Sequence, residues 1–303
     1  MTPLPLVLSP DVQAAFDAGT AIVALESTII THGMPYPQNV ETARIVEADV
    51  RGEGATPATI AVLDGVIHVG LTDDELESLG QAQNVAKLSR ADMAVCVATG
   101  GTGATTVAAT MIAAHLAGID VFATGGIGGV HRGAEHTFDI SADLLELAQT
   151  PVTVVAAGPK AILDIPKTME VLETQGVPVI AYGQDALPAF WSRASEYTAP
   201  LRLDSAEDIA SAAKMRAAMH IPGGQLIANP IPEADEISVD EITPYIEQAL
   251  SEAEAQGIAA KQVTPFLLQR MFELTEGRSL TANIALVRNN ARLAAQIARA
   301  LCA

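Results

Sequence analysis

The amino-acid sequence predicts an α/β fold: a three-layer α/β/α sandwich around a mixed, mainly parallel sheet, with a helical C-terminal elaboration. Short uncharged runs rich in β-branched residues, such as residues 152–155, alternate with stretches of helical periodicity, which is the order of βαβ units. Two apolar runs joined by Asp64 and Gly65 predict one tight antiparallel hairpin, so the sheet is mixed. Beyond residue 238 every periodic pattern is helical, which predicts the C-terminal elaboration.

Composition limits the class of protein. The chain has 303 residues, 49% of them hydrophobic, and no linker, repeat or low-complexity segment divides it, so we predict a single domain over residues 1–303. A net charge of −19 repels phosphate backbones and argues against nucleic acid as a partner. The N-terminal stretch lacks a basic leader, and no apolar run approaches the ~20 residues that span a bilayer. With only two cysteines and no disulfide framework, we expect a cytoplasmic protein without a membrane partner.

The first part of the chain is predicted to alternate helices and strands. After a weak helix at 12–18 and a strand at 21–26, Gly33, Pro35 and Pro37 predict a rigid loop rather than a further element. Asn39 is then predicted to cap a helix, the hairpin follows, and Thr72 and Glu75 are predicted to form the capping box of a short helix. A buried strand is predicted at 92–98. After it come a glycine-rich turn at Gly100, Gly101 and Gly103 and an alanine-rich helix that ends at Gly118.

The second part continues the same alternation and then turns helical. Strands are predicted at 119–123, 152–155, 177–181 and within 223–232. Helices are predicted from Ser141 to about 149, from Lys160 to Gly176, at 205–219 with Asp204 as cap, and at 238–256, 264–276 and 280–301. Residues 184–200 are expected to form an irregular crossing, folded over the site or in a subunit contact.

Lys160 is the leading catalytic candidate. It follows a buried strand and a Gly-Pro corner, and ligands of such sheets lie beyond the carboxyl ends of the strands. At a helix start the amide dipoles favour anions, so a neutral, nucleophilic amine is expected there. The alternative is a lysine that extends to solvent and only packs its methylene groups.

Glu26 and Lys87 are further candidates near strand ends. Apolar neighbours of Glu26 favour a protonated carboxyl group that can act as a general acid, although an ordinary carboxylate bonded to loop amides is an alternative. Lys87 is either a ligand for an anion or a solvated strand end.

Two glycine-rich segments are candidate phosphate sites. The turn at residues 100–103 precedes a helix, where exposed amides can cradle phosphate, but it matches no nucleotide-binding fingerprint, and its glycines could simply permit close packing. The loop at 124–143 is long and polar, as functional loops are. Its histidines and aspartates lack the spacing that zinc sites have. A hard cation that is bound by one carboxylate and by water molecules is therefore favoured.

Several long motifs in one order carry a family resemblance. They are ALESTIITHGMPYPQN, GATTVAATMIAAHLAGI, GGIGGVHRGAEHTFDISADL, GPKAILDIPKTMEVLET, ANPIP and SLTANIALVRNNARLAAQIA. Together they span nearly the whole chain, and the sequence resembles the pseudouridine-5′-phosphate glycosidases of the indigoidine synthase A-like family. The resemblance implies reversible cleavage of pseudouridine 5′-phosphate to uracil and ribose 5-phosphate with a divalent metal, usually manganese. It also implies a homotrimer.

The resemblance assigns roles by motif position. It implies that Lys160 is the nucleophile, that Glu26 is the proton donor and that Asp139 is the metal ligand. Substrate-binding positions are Lys87, Val107, Ser141, Ala142 and Asp143, and Thr124, His131 and Asn283 fall in motifs that line the site. Asn283 also has a structural alternative, a bond to a main-chain carbonyl. Pro159 is a local departure, because a small residue is expected before the lysine and proline fixes its own φ angle.

The chemistry of a carbon–carbon glycosidic bond suits a lysine. As a hypothesis, Glu26 protonates the ring oxygen, neutral Lys160 bonds to carbon 1′, and its nitrogen then forms an iminium as uracil leaves. Lys87 and glycine-loop amides would hold the phosphate. Two alternatives remain open at this point: another lysine-imine lyase or aldolase acting on a phosphosugar, or a non-catalytic sugar-phosphate-binding protein.

Overall fold

The computed structural model describes residues 3–258 and 263–303. Its eleven strands belong to one mixed sheet. They are β1 Leu6–Leu8, β2 Ile22–Leu25, β3 Thr56–Leu63, β4 Val66–Val69, β5 Ala86–Leu88, β6 Gly103–Thr105, β7 Val121–Ala123, β8 Thr153–Ala156, β9 Val179–Tyr182, β10 Leu201–Leu203 and β11 Gln225–Ala228.

Helices fill the connections and make up the C-terminal part. They are α1 Pro10–Ala18, α2 Thr28–His32, α3 Gln38–Gly52, α4 Asp73–Gln81, α5 Arg90–Ala98, α6 Val107–Ala117, α7 Ala134–Thr137, α8 Ala142–Gln149, α9 Ile165–Thr174, α10 Ala206–Ala218, α11 Val239–Ala255, α12 Val263–Leu274 and α13 Arg278–Cys302. Among the described helices none combines the length and apolar character that crossing a bilayer requires.

The sheet is mainly parallel, as predicted. Its main path runs β1-β4-β3-β2-β7-β8-β11-β9-β10, with β6 joined to β3 and β5 joined to β6. Only the β3–β4 and β3–β6 pairs are antiparallel among the described strands. The predicted hairpin is confirmed: Leu63 pairs with Val66, and Asp64 and Gly65 both have positive φ angles, as a tight turn of this kind requires.

Both faces of the sheet are buried, which makes three layers. In β2, Val23 contributes to the core beneath α3, α10, α11, α12 and α13, whereas Ile22 and Ala24 contribute to the core beneath α1, α5, α6, α8 and α9. Alternate side chains of one strand therefore pack against helices on opposite sides, and the strand reads as a continuous apolar run. The predicted fold class is confirmed, including the helical C-terminal part.

One predicted strand is wrong. Residues 92–98 belong to the helix α5, which a capping box of Ser89 and Asp92 begins. Only Met93 and Cys96 are buried in it, and Val95 is 63% exposed. Burial at a three-residue step is the pattern of a helix with one packed side, so the apolar run does not indicate a strand buried on both faces.

The helix predicted from Lys160 begins five residues later. Asp164 caps α9 by accepting a hydrogen bond from the Lys167 amide at 3.1 Å, and Pro166 occupies the first turn, where its missing N–H costs no hydrogen bond. Lys160 thus lies in the turn between β8 and α9, and its predicted position at a helix start is wrong.

Smaller differences concern caps and loops. The predicted loop after β2 contains the short helix α2. Asn39 lies inside α3 and not at its cap, since its amide donates to the carbonyl oxygens of Ile30 and Gly80. Ser205, not Asp204, caps α10 through the Asp208 amide. The capping box of Thr72 and Glu75 is confirmed.

Candidate functional site

A cavity of about 350 Å³ opens beyond the carboxyl ends of the parallel strands β2, β7 and β8. Glu26 follows β2, the glycines Gly125 and Gly126 follow β7, and Lys160 follows the turn after β8. The volume suits a ligand of small-molecule size. The main predicted candidates are therefore brought together at the sheet edge where ligands of open α/β sheets bind.

Most of the predicted site residues line this front cavity, and two do not. Those that line it are Glu26, Lys87, Val107, His131, Ser141, Ala142, Asp143, Lys160 and Asn283. Thr124 and Asp139 are absent from the wall. Thr124 lies behind Glu26, and Asp139 lies beside His131, whose main-chain N–H donates to the Asp139 carbonyl oxygen at 3.0 Å.

The carboxyl group of Glu26 is held from two sides. The Thr124 hydroxyl donates to Oε1 and the Thr28 hydroxyl donates to Oε2. Thr124 and Glu26 are 98 residues apart in the chain, so the parallel pairing of β2 with β7 creates this contact. Two hydroxyl donors fix the orientation of the carboxyl group at the cavity wall, which a positioned proton donor needs.

Lys160 is half-buried at the cavity wall, in a turn that is fixed by main-chain bonds. The Ile127 amide donates to the Gly158 oxygen at 3.2 Å, and the Lys160 amide donates to the Ile127 oxygen at 3.1 Å. These bonds flank Pro159, so its missing N–H leaves no partner unsatisfied. Gly158 has φ +89°, and a Cβ atom there would approach the Pro188 oxygen to 2.6 Å. The turn therefore accommodates Pro159 and requires glycine before it.

Asp143 connects two walls of the cavity. It is buried, and its two carboxylate oxygens accept from the Ala108 amide at 3.0 Å and the Gly128 amide at 2.8 Å. Ser141 caps α8 through the Asp143 amide at 3.2 Å, as the sequence predicts. Asp143 thus fixes the start of α6 against the glycine-rich loop, and its bonds to protein amides give it a structural role at the cavity wall.

The two glycine-rich segments differ in position. Gly125, Gly126 and Gly128 of the second segment line the front cavity, whereas Gly100, Gly101 and Gly103 do not. The first segment follows α5 and leads into β6, so it precedes a strand and not a helix. Its glycines therefore do not stand at a helix start, and this premise of the predicted phosphate cradle is wrong.

The electrostatics around His131 reflect two lysines. Burial is the main cause that lowers the pKa of His131, Lys160 and Lys87 lower it further, and Asp139 opposes the shift. Among residues 3–258 and 263–303, no group of three or more His, Cys, Asp or Glu side chains is placed to hold a metal. Asp139 by itself fits only a hard cation that keeps most of its waters or takes oxygens from a ligand.

Comparison with known proteins places the chain among relatives of the same length. The family model described as Indigoidine synthase A like protein matches residues 11–300. The chain belongs to this family. A Roseobacter denitrificans protein named pseudouridine-5′-phosphate glycosidase is 70% identical over 303 residues, covering 100% of this chain and 98% of that one. A Jannaschia protein of the same name is 70% identical, covering 98% and 99%. The predicted resemblance is confirmed.

Two solved structures share the fold of this family member. The prealnumycin C-glycosynthase AlnA, crystallised in complex with ribulose 5-phosphate, aligns with a TM-score of 0.91 at 39% identity, covering 100% of this chain and 98% of that one. An indigoidine synthase A-like protein from Thermotoga maritima aligns with a TM-score of 0.89 at 33% identity, covering 99% and 97%. The whole architecture, including the C-terminal helices, is therefore common to these proteins.

Within this family member, the cavity also contains residues that the sequence reading missed. His32 lines the wall, contacts the Thr31 hydroxyl through Nδ1 at 2.6 Å, and has a pKa lowered by burial and by Lys87. The Thr106 hydroxyl is buried at the start of α6 without a hydrogen-bond partner. Thr106 directly follows β6, so its position was an available signal, whereas His32 ends the helix α2 and had no such signal.

The C-terminal helix closes one side of the cavity. The Trp191 indole N–H donates to the Asn283 side-chain oxygen at 2.6 Å, so this oxygen has a protein partner. This is a structural contact, but it is not the predicted bond to a main-chain carbonyl, and Asn283 also lines the cavity. Phe190 lines the wall with φ +64°, an uncommon conformation for an aromatic residue, and packs edge-on against Trp191. Phe190 therefore brings the predicted irregular crossing at 184–200 to the cavity wall.

Proposed function

We propose that this protein is an enzyme that reversibly cleaves the carbon–carbon glycosidic bond of pseudouridine 5′-phosphate, giving uracil and ribose 5-phosphate. The relatives that are 70% identical over the whole chain support the reaction through their name. The observation that carries the proposal is structural: Glu26 and Lys160, an acid and an amine, line one cavity beyond the same sheet edge. This is the pair that the cleavage of such a bond requires.

The steps balance in protons and electron pairs. Glu26 gives a proton to the ring oxygen, the bond between that oxygen and carbon 1′ breaks, and the Lys160 nitrogen bonds to carbon 1′. The nitrogen then loses a proton, and its lone pair forms the double bond to carbon 1′ as the bond to uracil breaks. The electron pair of that bond stays on carbon 5 of uracil, which takes up one proton in place of the one the nitrogen lost. Water hydrolyses the resulting iminium, which restores the neutral amine and releases ribose 5-phosphate and one proton.

The phosphate is held by Lys87 and by local main-chain donors. A net charge of −19 disfavours anions at long range, so nearby groups must supply the attraction. Lys87 lines the cavity together with the second glycine-rich loop and with Val107 at the start of α6. At the start of α6 the Ala108 amide is bonded to Asp143, and the buried Thr106 hydroxyl is an available polar group for the phosphate.

A divalent cation, Mn²⁺ or a similar ion, is proposed at Asp139. The donor set fits a cation that keeps several waters, because Asp139 is one carboxylate beside a neutral His131. When bound, such an ion orders water and offsets negative charge near the substrate. Loss of uracil formation with EDTA, and its return with Mn²⁺, tests this proposal, and full activity in chelated enzyme would contradict it.

The reaction is tested by ultraviolet absorbance. Pseudouridine 5′-phosphate is added to the enzyme and uracil is separated and quantified, with the Lys160→Ala variant as control. We expect uracil from the wild type only. No uracil, but release of another aldehyde from phosphosugars, would indicate a lyase or aldolase. Equal ligand binding by both proteins without any turnover would indicate a sugar-phosphate-binding protein.

Two further properties are proposals with less direct support. The homotrimer follows from the family resemblance and is tested by light scattering after gel filtration. A cytoplasmic location accords with two free cysteines, buried Cys96 and exposed Cys302. Exclusion of the protein from the cytoplasmic fraction would overturn the second proposal.

A further inference from the structure

A second, smaller cavity adjoins the front cavity at Glu26. This back cavity has a volume of about 30 Å³ and lies between α3 and the strands β2, β3 and β7. Its polar lining consists of Glu26, Thr42, Thr59 and Thr124. Glu26 lines both cavities, together with Ile29, Gly125 and Val287, so the back cavity adjoins the front cavity at Glu26. The volume is sufficient for about two water molecules, and several polar groups are present to bond them.

A buried carboxyl group lies next to the back cavity. Glu47 is 7% exposed, and the Thr59 hydroxyl, itself on a residue that is 2% exposed, donates to Glu47 Oε1 at 2.6 Å. A hydroxyl that donates its one hydrogen still has lone pairs, so Thr59 can accept from a water in the back cavity. Burial is the main cause that raises the pKa of Glu47, and the bonds from Thr59 and Arg51 oppose it.

The other oxygen of Glu47 is directed to the surface. Oε2 lies 3.3 Å from the Arg51 guanidinium, whose side chain is 51% exposed. Exchangeable groups thus run from solvent at Arg51 through Glu47 to Thr59, which lines the back cavity together with Glu26. The mechanism proposed above uses none of these groups except Glu26.

We propose that water in the back cavity connects Glu26 to Glu47 through the Thr59 hydroxyl, and that this path returns a proton to Glu26 while substrate fills the front cavity. The inference rests on the proposed function, because it assigns Glu26 as the group that loses a proton. Glu47 and Thr59 act through Glu26, so they are positioning and proton-transfer residues without contact to the substrate.

The transfer is balanced over one turnover. After Glu26 protonates the ring oxygen it is a carboxylate. For the transfer, the Thr59 hydroxyl turns, so that its oxygen accepts from protonated Glu47 and its hydrogen points to water in the back cavity. The Glu47 proton then passes to Thr59 Oγ1, the Thr59 hydrogen passes to water, and a water hydrogen passes to Glu26. Glu47 then takes a proton from solvent at Oε2. Hydrolysis of the iminium releases one proton from the front cavity, which equals the proton taken in at the back.

Thr59→Val tests the path, with Thr42→Val as matched control. Valine keeps the shape of threonine and removes the hydroxyl, and Thr42 lines the same cavity but donates to the Met34 sulfur and not to a carboxylate. We expect Thr59→Val and Glu47→Gln to slow steady-state uracil formation about tenfold. The first turnover should keep its rate, because Glu26 already carries its proton before that turnover begins. Thr42→Val should match the wild type in both.

The solvent isotope effect separates proton transfer from a structural role. In mixtures of H₂O and D₂O, the steady-state rate of the wild type should depend on the D₂O fraction along a curve, because several protons are transferred. For Thr59→Val the dependence on the D₂O fraction should be linear. Equal steady-state rates in Thr59→Val, Thr42→Val and wild type would overturn the path. A first turnover that slows as much as the steady state would also overturn it, since that result indicates a distorted site.

A crystal structure of the wild type at high resolution tests the inference without any activity. We expect ordered water in the back cavity bonded to Thr59 and Glu26. A dry back cavity would overturn the water path even where uracil forms at full rate. Absence of uracil formation with water present would instead overturn the proposed function, so the two failures are distinguishable.

Discussion

Both oxygens of Glu26 accept a threonine hydroxyl, from Thr28 and Thr124, and this fixes a carboxyl group at the cavity wall. Replacing Glu26 by glutamine keeps the size and removes the transferable proton. We expect uracil formation to fall by about 10²- to 10⁴-fold, the contribution of a positioned general acid. Calorimetry should show unchanged affinity for ribose 5-phosphate.

A matched control for that variant is Thr28→Ser, which keeps the hydroxyl beside Glu26. We expect its rate to stay close to that of the wild type. If Glu26→Gln retained a rate within a few-fold of the wild type, the assignment of Glu26 as the proton donor would be wrong.

Glu47 is expected to make stability depend on pH. Burial raises its pKa above the ordinary 4.5, so between 4.5 and the raised value the folded chain keeps a proton that the unfolded chain has lost. The free energy of unfolding therefore falls as pH rises through this interval. Urea denaturation at a series of pH values should show this fall in the wild type and a smaller one in Glu47→Gln. Parallel curves for the two proteins would contradict a raised pKa.

For individual residues, the sequence predicted the candidate acid, amine and cation-binding groups. Nine of the predicted residues line the front cavity. It did not predict the bond from Thr124 to Glu26, which joins residues 98 positions apart. It also missed Glu47 and Thr59, whose link depends on how α3 packs against β3. Contacts of this kind arise from tertiary packing, and no spacing within one motif encodes them. The roles of the site residues stay predictions.

The last helix, α13, positions the loop that carries Thr124. Buried Asn290 donates to the Thr124 carbonyl oxygen at 2.8 Å and accepts from the Asn229 amide at 3.0 Å. Asn290→Leu leaves both partners unsatisfied, and each such group costs about 1–3 kcal/mol. We expect a lower free energy of unfolding and slower uracil formation, measured by urea denaturation and absorbance.

The neighbouring residue provides the control for Asn290. Asn289 donates to the Pro230 oxygen at 3.0 Å and has no bond to the loop at Thr124. Asn289→Leu should lose stability while keeping the rate of the wild type. Equal rates in both variants would show that α13 does not position the acid.

The sequence predicted most of the helices and strands, and its errors lie where two local signals compete. Residues 153–156 are a strand buried on both faces, as their unbroken apolar run indicates. Residues 93–98 are similarly apolar, yet they lie in α5, because the capping box at Ser89 and Asp92 outweighs strand propensity. The start of α9 was misplaced because Ala161 and Ile162 are buried in a turn and imitate a helix face. The single-domain organisation stays a prediction.

The whole molecule builds the front cavity, since its walls come from segments between Glu26 and Val287. A ligand that binds there should stabilise the folded chain as a unit. At 100 times its dissociation constant, ribose 5-phosphate should add about 2.7 kcal/mol to the free energy of unfolding. Ribose without phosphate is the control and should add much less at the same concentration. Equal effects of the two sugars would contradict a phosphate site at Lys87.

The central claim is that the Lys160 amine forms a covalent bond with carbon 1′ of the opened sugar. The direct measurement is borohydride reduction of the enzyme with ribose 5-phosphate, followed by peptide mass mapping. We predict one reduced adduct, on the peptide containing Lys160, and none in Lys160→Ala. An adduct on another lysine, or no adduct in an enzyme that forms uracil, would contradict the account.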